Sequence, residues 1–175
     1  MRTNLSSQIS LNRVSTRYYK PENTIERSVL TRFEKIPTNI YETVDEGVSC
    51  IADEIIRKVQ ERQRDGKFCT IAAGTGASLR PLFAELVRRH KEEGVSFRNV
   101  VVFNLYEYYP LTEPNNSSFN QLNELFLKQV DIDPQNVFTL NGTIPQEGVI
   151  DHCHLYEQRI KTYGGIDIAV MGIGL

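Results

Sequence analysis

From residue 41 onward the chain alternates two apolar patterns, and this alternation narrows the folds open to it. Val44, Val48, Ile51, Ile55 and Val59 recur at the spacing of a helix face. Thr43 and Glu46 stand ahead of that run at capping-box spacing, and Asp65-Gly66 closes it. Phe68–Ala73 is short and mostly apolar and reads as a buried strand. The Gly-rich turn Gly74-Thr-Gly-Ala-Ser78 leads into a second helix, with Ser78 as its expected cap. Pro81 is tolerated in the first turn, where an N–H has no partner to lose. Leu82, Phe83, Leu86 and Val87 form the expected core face, and Gly94 the end. Asn99–Phe103 is a continuous apolar strand, the mark of a parallel strand covered on both faces.

The pattern then repeats. A polar, Pro-containing loop over about 106–117 precedes a capped helix that starts at Ser118-Phe-Asn-Gln121 and reaches Val130. Asn136–Leu140 is a short strand, Asn141-Gly142 a turn, 146–163 a helix closed by Gly164-Gly165, and Ile166–Met171 a last buried strand. Strands alternating with helices predict an α/β fold: a Rossmann-like open, mostly parallel sheet with helices on both faces. Residues 1–40 are polar, weakly periodic and interrupted by Pro21 and Pro37, with a short helix expected over 24–35. The expected organisation is an N-terminal extension, 1–40, and an α/β domain, 41–175. A strand followed by Gly172-Ile-Gly174 normally turns into a further loop and helix, so the end at Leu175 reads as a truncation after a buried strand. A final edge strand is the plainer alternative.

Composition excludes several classes. The 175 residues suit one domain with a sizeable core. A net charge of −2 argues against a nucleic-acid footprint. No apolar run approaches a membrane span, and the N-terminus lacks a secretory apolar stretch. Cys50, Cys69 and Cys153 are odd in number and scattered, which fits a reducing cytoplasm.

In open α/β sheets ligands bind beyond the carboxyl ends of the strands. Three segments end there: 74–78, 104–109 and 172–175. Gly74, Thr75, Gly76, Ala77 and Ser78 combine backbone freedom, hydroxyl donors and a helix N-terminus, which favours an anion such as phosphate. The loop lacks both the Walker and the dinucleotide signatures. A tight turn with a helix cap is the equal alternative. Asn104-Leu-Tyr-Glu-Tyr-Tyr109 sets Glu107 among tyrosines, a candidate for sugar recognition or a plug that packs the loop. In Asp151-His-Cys-His154, His152 and His154 do not share a helix face, and Cys153 reads as a core position. No metal is expected there. His90, near a helix end, reads as a dipole partner.

Taken in order, these segments resemble the glucosamine-6-phosphate deaminase family, whose fold is shared with 6-phosphogluconolactonase and ribose-5-phosphate isomerase. The resemblance covers residues 41–175. Thr75-Gly-Ala-Ser78 is similar to the family's phosphate loop, and Ser96–Asn104 to the strand before its Phe-Asn-Met-Asp-Glu-Tyr segment. Val130–Asn136 with Leu140-Asn-Gly142 resembles its helix-to-strand linker. Tyr156–Ile160, Gly165-Ile-Asp167 and Gly172-Ile-Gly174 resemble the approach to its catalytic loop. Asn-Leu-Tyr-Glu-Tyr and Leu-Asn-Gly favour the deaminase branch over the lactonase branch.

The resemblance implies amino-sugar breakdown in the cytoplasm. Glucosamine 6-phosphate is opened, a proton moves between C2 and C1, and ammonia leaves to give fructose 6-phosphate, with no cofactor and no metal. It places the phosphate at 74–78, further substrate contacts at Asn104, Gly172 and Gly174, and catalysis at Tyr106 and Glu107. Tyr106 stands where the family has its aspartate base. An ordinary phenol is ionised in only about one molecule in a thousand at neutral pH, a penalty of about 4 kcal/mol. Glu107 keeps the family's next residue, but neighbours at a strand end point to opposite sides. The family's Asn-Asp-Gly-His segment, downstream glutamate and later basic residues would follow Gly-x-Gly, and the chain ends before them. The expectation is therefore the N-terminal part of a deaminase/isomerase-like protein, inactive alone. The alternatives are a non-catalytic sugar-phosphate-binding or regulatory module and a ribose-5-phosphate isomerase. The partners expected are a sugar phosphate and either a homo-oligomer or the missing C-terminal part, with an exposed sheet edge promoting self-association.

Overall fold

The computed structural model describes Thr24 and residues 38–172. The chain divides into two units, residues 1–42 and 43–175. In the first unit Thr24 is helical and residues 38–41 have no regular structure. The expected helix over 24–35 otherwise lies outside the described residues, as does the rest of the extension.

The second unit runs α1 (Val44–Arg64), β1 (Cys69–Ala73), α2 (Arg80–Glu93), β2 (Val100–Asn104), α3 (Ser118–Leu125), β3 (Val137–Phe138), α4 (Val149–Thr162) and β4 (Ile168–Val170). The four strands form one parallel sheet in the order β3-β2-β1-β4. β1 and β2 lie at the centre and all ten of their residues are buried. Their side chains alternate between two cores. Cys69, Ile71, Ala73, Val100 and Val102 meet α1, α2 and the segment after α3 in one cluster. Phe103 faces the other way, against Phe138 at 5.0 Å and the Tyr156 ring at 5.5 Å, so α4 covers that side. The open parallel sheet with helices on both faces is thus present, and the continuous apolar pattern of β2 follows from burial on both faces.

Local chemistry accounts for the ends. Thr43 Oγ1 accepts from the Glu46 N–H at 3.2 Å, as in a capping box. Asp65 and Gly66, the latter at φ +66°, close α1. α2 carries Pro81 in its first turn and stops at Gly94, φ +72°. Its four expected core residues, Leu82, Phe83, Leu86 and Val87, are buried.

Several expectations need correction. α1 rests on Ala52, Ile55, Ile56 and Val59, while Val44 and Ile51 are exposed. The helix is turned toward one flank of the expected stripe. α3 is capped by Ser117, whose side chain accepts from the Asn120 N–H, and not by Ser118. It ends at Leu125 because Phe126 leaves helical geometry (φ −139°) and stacks on Phe83 and against Phe97. The inner side of α4 is His152, Tyr156 and Ile160, so Cys153, about 100° round the helix, is exposed. β4 is half-covered rather than buried, since only Val170 is buried and Ala169 is exposed.

β4 is held to the centre by Asp167. Its N–H donates to Thr70 O at 2.9 Å, and its carboxylate accepts from the Thr70 N–H at 2.9 Å and from Arg62 of α1. Burial opposes ionisation of this carboxyl, but the bonds from Arg62 and Thr70 outweigh it and hold it below the usual range. A depressed carboxylate stabilises the fold at pH values above its unfolded value of about 4, and the contribution is lost as pH falls through the lower folded value. Asp167→Asn is expected to cost about 1–3 kcal/mol at pH 7 in urea unfolding, with the gap to wild type narrowing in acid.

Candidate functional site

Parallel pairing brings three chain segments to one edge of the sheet. Ala73 of β1 is opposite Asn104 of β2 and Val170 of β4. The ladder continues one step past the strands, with Gly74 N–H to Val170 O and Leu105 N–H to Ala73 O, both 2.9 Å. The segments 74–78, 104–107 and 171–172 therefore leave the sheet together.

The first of these is tightly packed. A Cβ on Gly74 would stand 3.3 Å from both Tyr106 Cε1 and Val170 O, a tight fit that a side chain would enter only if those neighbours gave way by a few tenths of an ångström. Gly76 has φ +144°, a backbone that other residues rarely adopt. Ala77–Leu79 form one 3₁₀ turn that runs straight into α2. Ser78 is therefore not the helix cap. It lies exposed within the turn, and Leu79, at the cap position, offers no side-chain acceptor. N–H groups ahead of the first helical bonds point outward with the positive end of the helix dipole. Gly172 closes the group, since a Cβ there would lie 2.7 Å from Ser78 Oγ. Gly174 lies outside the described residues.

The second segment splits in two directions. Tyr106 turns toward the loop, and its hydroxyl donates to Thr75 O at 2.5 Å. The same oxygen lies 3.3 Å from Thr75 N and 3.2 Å from Thr75 Oγ1. Glu107 turns toward α3 and accepts from Ser117 Oγ (2.7 Å) and from the N–H groups of Ser118 (2.9 Å), Phe119 (3.1 Å) and Tyr108 (3.0 Å). Burial pushes this carboxyl up, but the four donors outweigh it and its pKa is lowered. The opposite directions match the strand-end alternation read from sequence. Asn104 is buried between them, donating to Tyr106 O at 2.9 Å.

Ser118 joins the two halves. Its Oγ is 3.0 Å from Thr75 Oγ1, and both residues are buried. Sequence reading missed this link, because a serine 43 positions from the loop carries no local signal of contact. Tyr156 was also missed as a positioning group. Its hydroxyl donates to Asn104 O at 2.6 Å from the far face, and burial pushes its pKa up. Beyond Glu107 the loop is anchored by Leu111 N–H to Gly142 O at 2.7 Å. Tyr109-Pro110 is a cis peptide. A shallow depression of about 340 Å³ lies on this loop's outer side, between Tyr108, Leu111 and Gln121.

Elsewhere, His152 Nε2 accepts from the Asn141 N–H at 3.0 Å. Near the end of α2, His90 Nδ1 lies 2.6 Å from Val95 O. Among the described residues no three His, Cys, Asp or Glu side chains gather as a metal would require. No helix among them is long and apolar enough to cross a membrane.

Comparison with known proteins adds four findings. Residues 42–175 match the family described as glucosamine-6-phosphate isomerases/6-phosphogluconolactonase. A glucosamine-6-phosphate deaminase-like protein of Bacteroides thetaiotaomicron is 59% identical over 99% of this chain, which spans 26% of that protein. The glucosamine-6-phosphate deaminase of Dictyostelium discoideum is 33% identical over 73% of the chain, which spans 51% of it. The solved structure of a monomeric glucosamine-6-phosphate deaminase superposes with a TM-score of 0.69 at 28% identity, covering 77% of this chain and 54% of that one. The chain thus spans from about a quarter to about half the length of these relatives.

The Glu107 network makes a direct prediction. Glu107→Gln removes the charge that accepts from the first N–H groups of α3 and is expected to cost about 1–2 kcal/mol at neutral pH. Because the carboxyl is depressed in the folded state, its contribution is present above the unfolded value of about 4.3 and lost as pH falls through the folded value. Denaturant unfolding of both proteins from pH 7 to pH 3 should show the difference closing.

Proposed function

The chain belongs to the glucosamine-6-phosphate isomerase/6-phosphogluconolactonase family, and from that membership we propose that it carries the phosphate-holding part of a glucosamine-6-phosphate deaminase-like protein. The observation that carries this reading is the placement of Gly74–Ser78, at the head of a 14-residue helix, on the same sheet edge as Asn104–Glu107. The N–H groups of 75–78 and the Ser78 hydroxyl hold the phosphate, with the exposed Arg80 two residues on. The exposed face of the Tyr106 ring offers an apolar wall to a sugar. Gly172 brings the end of β4 against the same loop.

The reaction of such a protein would add water to glucosamine 6-phosphate, shift a proton between C2 and C1 and release ammonia, leaving fructose 6-phosphate. Among the described residues of this sheet edge, no carboxylate is free for the proton step. Tyr106 occupies the position that the resemblance assigns to the base, and its hydroxyl proton is already given to Thr75 O. Glu107 is saturated by four donors, three of them at the head of α3, which makes it a positioning residue. These two observations favour a second reading, a sugar-phosphate-binding or regulatory module, over turnover by this chain alone.

Two measurements follow. Calorimetric titration with glucosamine 6-phosphate is expected to show binding that exceeds that of glucosamine and of inorganic phosphate, while an ammonia assay on the same preparation shows no turnover. Absence of binding sinks the phosphate-site reading, and ammonia release sinks the inactive one. Self-association through the outer edge of β4 goes with the same reading, since Ala169 is exposed beside Met171 and Ile51. Light scattering at high concentration should then show a species larger than the monomer.

A further inference from the structure

Three polar groups of Thr75 converge on one atom. Its N–H, Oγ1 and carbonyl oxygen lie 3.3, 3.2 and 2.5 Å from Tyr106 Oη. A phenol has one proton to give. The shortest contact takes it to the carbonyl, and the oxygen's lone pairs are left facing the Thr75 N–H and hydroxyl. The phenolic oxygen is then an acceptor on the first donors of an anion-binding loop. Thr75 is itself buried, and its hydroxyl is tied to Ser118. The ring packs closely over residue 74, a glycine, where a Cβ would stand 3.3 Å from Tyr106 Cε1.

We infer that Tyr106 is an internal occupant of the anion position: its hydroxyl satisfies Thr75 when no phosphate is bound and must leave before a phosphate oxygen can take its place. The inference rests on the phosphate-loop reading above and adds to it a residue that sets the affinity of the site. The phenol keeps the loop in one shape and sets a threshold that weakly held anions do not pass. A phosphate that also gains contacts through its sugar can displace it. The penalty is the same for every phosphate, and only one with sugar contacts has affinity to spare.

The test compares the full chain with Tyr106→Phe, which keeps the ring and removes only the competing oxygen. Calorimetry with inorganic phosphate and with glucosamine 6-phosphate is expected to show both bound about fivefold more tightly by the variant, the worth of about one net hydrogen bond. A tyrosine ultraviolet difference spectrum should appear when glucosamine 6-phosphate is added to wild type and be absent in the variant. A purely structural role for the hydroxyl would not produce that pair of results. Unchanged or weaker binding by Tyr106→Phe, with wild type still binding, overturns the inference and leaves the phosphate loop standing. Binding by neither protein overturns both.

Discussion

Ala73 and Asn104 face each other in a parallel ladder, and most of what could bind a ligand depends on that register. Two strands that run the same way leave the sheet at the same edge. The loop after β1 and the loop after β2 are therefore neighbours, although some 30 residues separate them in sequence. Complete burial of both strands fixes the register. A slip by one residue would swap Val102 and Phe103 between the α1–α2 side and the α4 side, and neither space fits the other's side chain.

The polar groups at this edge form one connected chain. It runs from Glu107 through the head of α3 to Ser118, then to Thr75 and Tyr106, and returns through Asn104. Such a chain orders a long loop without a hydrophobic core of its own. Motifs that the family resemblance singled out also act as fasteners elsewhere. Asp131 accepts from the Phe97 N–H at 2.7 Å and Ser96 Oγ at 2.8 Å, fixing the entry to β2. Gly142 sits so close to Tyr108 O that a side chain there would collide at 2.2 Å. The family pattern therefore reflects, at these positions, the placement of loops.

The architecture was legible because both central strands are short, apolar and bounded by glycine or polar turns. The four core residues of α2 were legible for the same reason, since a strong stripe leaves one orientation. α1 was harder. Its apolar residues span more than one stripe, and only contact with the sheet selects Ala52 and Ile56 over Val44 and Ile51. Two adjacent serines could each cap α3, and the choice fell to Ser117 because Ser118 is drawn to Thr75. Within the site, the loop and the 104–107 segment could be placed side by side from the strand-end rule. The direction of Tyr106 and its hold on Thr75 could not, because they depend on the space that Gly74 leaves and on a helix that begins 43 positions later.

The strand order also has a consequence for synthesis of the chain. β1 acquires β2 as a neighbour soon after it is made, but its other edge waits for β4, about 95 residues later. At ordinary rates of translation that interval lasts about 5–20 s. Throughout it the central strand of the sheet is an outer strand, with its open N–H and C=O groups at Thr70–Ala73 available to any extended peptide nearby. The nascent chain is most exposed to wrong pairing in that window, and a factor shielding it would have to act before Asp167 emerges.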